Sequence, residues 1–232
     1  MYRRCSLRAA RECTTGALKD CMLVSCRIDQ TGHEAMNYLA HLYFSDLTPD
    51  GCVGQLLPDC MPPRQLPESA TATLRQHVHL HQVIDRFTDH HDQVLALRHS
   101  FEPPFRRFSG VILDVLFDHI LARTWSDWHD SSLDAFSAQV YTALAAYRGP
   151  ENERLRSLRL ALVRHRWLPG YGTREGMARA LSSLDRRSRF NTPLATAVQV
   201  LDQRHDDISA VFSQFFPQLQ AEVRRAQADG SD

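Results

Sequence analysis

From residue 36 onward, apolar residues recur at helical spacing in segments that proline and glycine separate. In residues 69–98 the recurring apolar side chains are Leu74, Val78, Leu80, Val83, Ile84, Phe87, Val94 and Leu97. The same spacing predicts a short helix near Leu39 and longer helices over residues 111–125, 133–147, 154–167, 174–184 and 193–226. Strand-like alternation is weak throughout. The sequence therefore predicts an all-α protein folded as a single helical bundle domain.

Residues 1–35 differ in composition from the rest of the chain. They hold four of the six cysteines and the only lysine, Lys19. The cysteine spacings match no zinc finger or zinc ribbon, so a metal or disulfide cluster is the less favoured interpretation. We expect residues 1–35 to be an irregular, disordered extension and residues 36–232 to be the helical domain. A start of translation at Met36 is a further hypothesis.

Charge and hydropathy exclude several classes of function. The chain has 27 basic and 27 acidic residues, so no net field directs it to nucleic acid or to a membrane surface. Its arginines lack the interleaved aromatic residues expected of a protein that binds single strands. No apolar run approaches the ~20 residues that span a bilayer, and residues 1–35 lack the uninterrupted apolar stretch that a secretory signal requires. We expect a cytoplasmic protein that binds neither nucleic acid nor membrane.

The segment 111–125 combines a strongly apolar helix with three residues able to bind a metal. Apolar side chains cover most of the predicted helix, which indicates a central, buried element. Asp114 and Asp118 are four residues apart and therefore lie on one face, and His119 follows. Buried carboxylates are costly unless a cation or opposite charges stabilise them. A solvated face, or pairing with arginine, is the alternative.

A second polar face is predicted on the preceding long helix. His81, Asp85 and Asp89 lie within about 80° of one another on a helical wheel, away from the apolar side chains. His81 and Asp85 can therefore reach one metal ion together, although a histidine-rich helix is often only a polar surface. Mixed oxygen and imidazole ligands suit Mn²⁺, Mg²⁺ or Fe²⁺ better than a structural zinc. Asp59, where a helix meets a proline-rich loop, is a further candidate ligand or a turn residue.

Several ordered motifs together resemble one family of enzymes. They are Met36-Asn37-Tyr38-Leu39-Ala40-His41-Leu42, Gly54-Gln55-Leu56-Leu57-Pro58-Asp59, the His79–Asp89 helix, Asp114-Val115-Leu116-Phe117-Asp118-His119, and Trp167-Leu168 with Tyr171. Over roughly residues 36–225 the chain resembles the acyl carrier protein phosphodiesterases, which are divergent relatives of the HD-type phosphohydrolases. No catalytic triad, phosphate-binding glycine loop or dinucleotide fingerprint competes with this interpretation.

The resemblance implies an HD-phosphohydrolase-like helical fold and a Mn²⁺-stimulated reaction. The expected reaction hydrolyses the phosphodiester that joins 4′-phosphopantetheine to a serine of holo-acyl carrier protein. By position, the resemblance assigns the metal ligands Asp59, His81, Asp85, Asp118 and His119. The serine alkoxide needs a proton as it departs. We expect His119 to supply it, with His81 or His41 as alternatives, and Asp59 to be essential for catalysis. Asp114, Asp89 and His41 stay open between ligand and structural roles.

The distribution of arginine residues predicts a docking surface for the expected substrate. Residues 148–189 contain eleven arginines and four acidic residues, a local excess of seven positive charges. Because acyl carrier proteins are acidic, such a surface suits this partner. We expect Arg186 and Arg187 to contribute to docking. Solvated helix faces in an arginine-rich chain are the alternative explanation.

Two other functions remain open from the sequence. An HD-like phosphohydrolase acting on a nucleotide or another small phosphate ester would use the same metal chemistry. A non-catalytic helical module that binds metal or docks a carrier protein would bind the ion tightly without turnover.

Overall fold

The computed structural model describes residues 38–188 and 190–229 of the chain. Within these ranges the protein consists of helices and turns, without a β-strand, which confirms the predicted all-α class. The helices are α1 (Tyr38–Tyr43), α2 (Pro49–Gly54), α3 (Ala72–His90), α4 (Asp92–His99), α5 (Ser109–Arg123), α6 (Leu133–Ala146), α7 (Glu153–His165), α8 (Trp167–Gly170), α9 (Arg174–Arg187) and α10 (Val198–Asp229). The predicted extension over residues 1–35 and the start at Met36 lie outside the described residues.

Helix α5 lies at the centre of the bundle, as its apolar circumference predicts. It packs against α1, α4, α9 and α10. Ile112, Val115, Leu116 and Leu121 are completely buried, and most other residues of the helix are also inaccessible. Asp118 and His119, buried polar side chains of α5, are therefore held among neighbouring helices, where their partners determine their chemistry.

Two boundaries close to the α2–α3 contact and the α3–α4 junction differ from the sequence prediction. The predicted helix over residues 69–98 is interrupted at His91, whose backbone is extended (φ −73°, ψ 122°) and separates α3 from α4. The predicted break at residues 48–51 instead starts α2. There the Thr48 hydroxyl accepts a hydrogen bond from the Gly51 N–H, and Pro49 occupies the first turn, where a missing N–H costs nothing.

Helices α2 and α3 approach closely because glycines face the contact. A Cβ added at Gly54 would lie 2.5 Å from the His77 Cβ and 3.0 Å from the Leu74 carbonyl oxygen. A Cβ at Gly51 would clash with the Asp46 carboxylate. This close approach places Gln55, directly after α2, against the polar face of α3.

The long helix α10 holds α1 in place. Its backbone kinks at Arg204 (φ −133°, ψ 22°), and the second half packs Phe216 against the Tyr43 ring. The Tyr43 hydroxyl donates to the Trp128 carbonyl (2.6 Å) and accepts from the Gln220 amide (2.7 Å). The end of α1 is thereby fixed. None of the described helices combines the length and apolarity needed to cross a membrane.

Candidate metal centre

Three side chains from two helices converge on one point. His41 comes from α1, and His81 and Asp85 come from consecutive turns of α3. One possible ligand atom of each lies within 4.8 Å of the others. Across residues 38–188 and 190–229, no other three His, Cys, Asp or Glu side chains meet in this way.

The carboxylate of Asp85 connects the two imidazoles. Its Oδ1 lies 3.1 Å from the His41 Nε2, and its Oδ2 lies 3.0 Å from the His81 Nε2. The two rings stack at a centroid distance of 4.0 Å, and Asp59 Oδ1 lies 3.6 Å from the His81 Nε2. Both histidines are buried, whereas the Asp85 side chain is 37% exposed. The cluster is therefore reached from solvent on the Asp85 side.

The opposite ring nitrogens of both histidines face oxygen atoms of Gln55. His81 Nδ1 donates to the Gln55 backbone carbonyl at 2.9 Å, and His41 Nδ1 lies 3.3 Å from the Gln55 side-chain oxygen. In each neutral ring the Nε2 lone pair then points at carboxylate oxygens, which cannot donate a hydrogen bond. Such an arrangement requires a proton or a cation between the groups, and histidines that ligate metals share this geometry.

The pKa values show how strongly the cluster favours positive charge. Burial alone would lower the pKa of His81, but Asp85 and Asp59 outweigh it and raise the pKa to about 9. Burial, together with the nearby His81, lowers the pKa of His41. The two imidazoles hold the pKa of Asp85 well below its usual range, against the effect of burial. A divalent cation would replace the proton, and imidazole nitrogen with carboxylate oxygen suits Mn²⁺ or Fe²⁺.

The structure brings together three of the predicted ligands, Asp59, His81 and Asp85. It adds His41, which the sequence left open between several roles. The six-residue helix that carries His41 is too short for its periodicity to show which way a side chain faces. Its place in the motif that starts at Met36 was the only available signal.

Asp118 is used differently from the prediction. Its Oδ2 accepts the Leu39 N–H and its Oδ1 accepts the Ala40 N–H, both at 2.9 Å. The completely buried carboxylate thus anchors the start of α1. Burial raises the pKa of Asp118 to about 8, and the two backbone donors act in the opposite direction. Asp118 is not part of the converging group, and its role as a ligand stays a prediction.

His119 is also held by the backbone. Its Nδ1 donates to the Tyr171 carbonyl at 2.7 Å, and the ring is almost inaccessible. Burial lowers the pKa of His119, so the neutral ring gives its one N–H to this bond. His119 lies outside the converging group, and its roles as a ligand and proton donor stay predictions.

Asp89 and Asp114 flank the cluster. Asp89 Oδ1 accepts from Arg98 Nη1 at 2.9 Å, which ties α3 to α4. Asp114 is half-buried. Burial, reinforced by the charges of Asp85 and Asp89, raises the pKa of Asp114 well above its ordinary value. The negative charges of Asp85 and Asp89 therefore act on Asp114 of α5.

The arginine-rich segment is partly neutralised within the fold. Glu151 forms ion pairs with Arg156 and Arg159, each at 3.0 Å, and Arg174 pairs with Asp202, which lies outside the segment. In the last turn of α9, Arg186 is exposed, and Arg187 Nε donates to the Ser183 carbonyl at 3.2 Å. The positive surface available for docking is therefore smaller than the excess of arginines in residues 148–189 implies.

Comparison with known proteins gives one consistent family. The family model for acyl carrier protein phosphodiesterase matches residues 36–219. Curated relatives with that name include those of Photorhabdus laumondii and Pectobacterium atrosepticum. Each is 30% identical over 186 residues, covering 79% of this chain and 93% and 95% of the respective relative. The Serratia proteamaculans relative is 28% identical over 193 residues, covering 83% of this chain and its own full length. No solved structure matches the chain significantly, so the predicted likeness to HD-type phosphohydrolases stays a prediction.

Proposed function

The chain belongs to the acyl carrier protein phosphodiesterase family, and we propose that it releases 4′-phosphopantetheine from holo-acyl carrier protein by metal-dependent hydrolysis. The observation that carries the metal dependence is the shared carboxylate of Asp85, which faces the Nε2 atoms of both His41 and His81. The products are apo-acyl carrier protein and 4′-phosphopantetheine.

The residues that would hold the ion are His41, His81 and Asp85, with Asp59 beside them. A divalent ion bound there would polarise a phosphoryl oxygen and lower the pKa of a bound water, and Mn²⁺ is the ion we propose. Gln55 keeps both imidazoles turned towards the site through their Nδ1 atoms. The partly exposed edge of Asp85 is where the phosphodiester approaches.

The leaving serine oxygen develops negative charge and needs a proton. His41 and His81 present Nε2 to the ion in this arrangement, so neither is available as the acid. We retain His119 as the proton donor. It must rotate or act through water, since its Nδ1–H is bonded to the Tyr171 carbonyl in the ground state.

The proposed protein substrate is recognised by charge. Arg186 and Arg187 end α9, and α9 packs against α5, the helix next to the site. An acidic carrier protein docked there would be steered by complementary charge, which acts mainly on the association rate and on specificity.

The decisive experiment is to incubate the purified protein with holo-acyl carrier protein and Mn²⁺ and to weigh the carrier by intact-mass spectrometry. We expect metal-dependent loss of the phosphopantetheine mass, suppression by a chelator, and no loss with Asp85→Asn. Asp127→Asn, an exposed carboxylate in the short 3-10 turn that follows α5, serves as the matched control and is expected to remain active.

Two results would contradict the proposal. An unchanged carrier together with hydrolysis of bis(p-nitrophenyl) phosphate would indicate an enzyme for small phosphate esters. Tight Mn²⁺ binding with neither carrier nor small ester consumed would indicate a non-catalytic metal-binding module.

A further inference from the structure

Gln55 contacts both histidines of the candidate metal centre and a third histidine behind them. It is completely buried directly after α2. Its backbone carbonyl accepts from His81, its side-chain oxygen faces His41, and its side-chain nitrogen lies 3.4 Å from His77 Nδ1. A buried amide has two chemically different ends, so its orientation decides which end each histidine meets.

Asp46 determines that orientation through His77. The Asp46 Oδ1 accepts hydrogen bonds from the Thr48 N–H (3.0 Å) and hydroxyl (2.7 Å), which hold the carboxylate in place. His77 Nε2 lies 3.6 Å from the same oxygen, a distance longer than a hydrogen bond, yet the negative charge favours an N–H on Nε2. Burial lowers the pKa of His77, so the ring is neutral and its Nδ1 is an acceptor. Gln55 must then turn its NH₂ group towards His77.

The orientation of the Gln55 amide determines which ring nitrogen of His41 carries the proton. With its NH₂ on His77, Gln55 presents its carbonyl oxygen to His41, which therefore carries its proton on Nδ1. The Nε2 lone pair of His41 then faces Asp85 and the point where an ion would bind. A reversed amide would place the His41 proton on Nε2, and a protonated nitrogen cannot ligate a metal.

We propose that Gln55 is the positioning residue of the metal centre, orienting His41 with its side chain and His81 with its backbone carbonyl. His77 and Asp46 hold the amide in the orientation that this role requires. Gly51 and Gly54 make the arrangement possible, since side chains there would collide with Asp46 and His77. This inference rests on the proposed metal-dependent function.

The test measures Mn²⁺ affinity in the intact protein without substrate, by electron paramagnetic resonance titration of free Mn²⁺. Gln55→Leu removes the amide but keeps the backbone carbonyl that orients His81. We expect its Mn²⁺ affinity to fall by about 10–100-fold, the range typical of lost outer-shell partners. Activity on holo-acyl carrier protein should recover towards the wild-type rate when Mn²⁺ is raised, which a general loss of structure would not produce. Gln82→Leu, an exposed glutamine on α3, is the matched control.

A second pair of variants tests the same idea without altering Gln55. His77→Leu removes the acceptor and leaves the amide free to reverse, so Mn²⁺ affinity should fall. His77→Asn places a carbonyl oxygen near the position of Nδ1 and should restore most of that loss. Circular dichroism and thermal unfolding with a chelator present confirm that each variant is folded.

The outcomes separate this inference from the proposed function. If wild-type protein binds no Mn²⁺, the proposed metal dependence is wrong and this inference is lost with it. If wild-type binds Mn²⁺ and hydrolyses the carrier while folded Gln55→Leu binds equally tightly, only the positioning role is wrong. If Gln55→Leu does not fold, equal Mn²⁺ affinity of folded His77→Leu and wild type would overturn the role.

Discussion

The imidazole rings of His41 and His81 stack 4.0 Å apart at an interplanar angle of 18°, and each directs Nε2 at a different oxygen of one carboxylate. The two residues come from different helices and are joined on their far sides by a single glutamine. Two buried rings in contact cannot both be positively charged at low cost. A divalent ion bound by the shared carboxylate would supply one cation for both rings.

Replacement of the shared carboxylate tests this arrangement directly. Asp85→Asn removes the negative charge that faces both Nε2 atoms. Loss of an outer-shell partner lowers metal affinity by up to about 100-fold. Because Asp85 is proposed to hold the ion itself, we expect Mn²⁺ affinity to fall by at least about 100-fold. Because an ion that binds only the folded state stabilises it, Mn²⁺ should raise the melting temperature of the wild type but not of Asp85→Asn. Calorimetric titration and thermal unfolding measure these effects. A Mn²⁺-induced shift in the variant equal to that of the wild type would contradict the assignment.

Asp118 provides a test that separates an anchoring role from a ligand role. Asp118→Ala leaves the Leu39 and Ala40 N–H groups buried without acceptors, and each such loss costs about 1–3 kcal/mol. We therefore expect the metal-free protein to lose about 2–6 kcal/mol of unfolding free energy. Turnover should fall as well, because α1 carries His41.

Urea denaturation in the presence of a chelator measures this cost. A residue that acts only as a metal ligand would leave the metal-free stability unchanged while weakening Mn²⁺ binding. That pattern would return Asp118 to the ligand set predicted from the sequence.

Charge reversal on α9 tests carrier docking. We expect Arg186→Glu to raise the Michaelis constant for holo-acyl carrier protein by about 10-fold, equivalent to about 1.4 kcal/mol, with kcat little changed. Because Arg187 is half-buried and bonded to a backbone carbonyl, Arg186→Glu is the primary variant and the double variant is secondary. Arg224→Glu, exposed on α10, controls for the change in net charge. An unchanged Michaelis constant in Arg186→Glu and the double variant would remove this face from the docking surface.

The sequence predicted the helical architecture because the apolar residues repeat with the period of a helix over long segments. The burial of α5 followed from its apolar circumference alone. The division between α3 and α4 was missed because His91 interrupts the helix without proline or glycine, the residues that mark breaks in a sequence. The start of α2 was missed because Thr48 and Pro49 serve equally well in a turn and in the first turn of a helix.

The site was predictable where its residues share a helix and unpredictable where it depends on packing between helices. His81 and Asp85 are four residues apart, so helical geometry alone brings them together. His41 is 44 positions from Asp85, and Asp118 is 79 positions from Leu39. No periodicity encodes such contacts. The family motifs included these residues without indicating which of them converge on one point.

The pH dependence of stability is expected to involve Glu151. Burial alone would raise the pKa of this carboxyl group, but hydrogen bonds from Arg159 and Arg156 outweigh it and lower the pKa below its ordinary value of 4.5. A lowered folded-state pKa means that the ionised form stabilises the fold. This contribution is complete above pH 4.5 and is lost as the pH falls through the folded-state value.

Glu151→Gln should therefore destabilise the protein at pH 7 by about 2 kcal/mol, typical of hydrogen bonds to a charged group. The difference between wild type and variant should shrink as the pH falls below 4.5. Urea denaturation at pH 7 and at pH 3.5 measures both differences. A difference that grew in acid would show that the sign is wrong.

The close contact of α2 with α3 makes the strongest prediction about the link between fold and site. Gly54→Ala places a Cβ 2.5 Å from the His77 Cβ and 3.0 Å from a backbone oxygen, where neither neighbour is the flexible end of a side chain. Overpacking of this kind costs about 1–3 kcal/mol, which exceeds the ~1 kcal/mol that alanine gains over glycine in a helix. The separated helices would also draw Gln55 away from His41, so Mn²⁺ affinity should fall together with stability.

Gly170→Ala is the matched control, because the only neighbour within 4 Å of its added Cβ is the end of the Arg179 side chain at 3.8 Å. Thermal unfolding and Mn²⁺ titration of both variants distinguish the two effects. Loss of stability in Gly54→Ala with wild-type Mn²⁺ affinity would mean that the helix contact supports the fold but not the metal centre. Loss of both, with Gly170→Ala unaffected, would show that the glycine contact positions the ligands through Gln55.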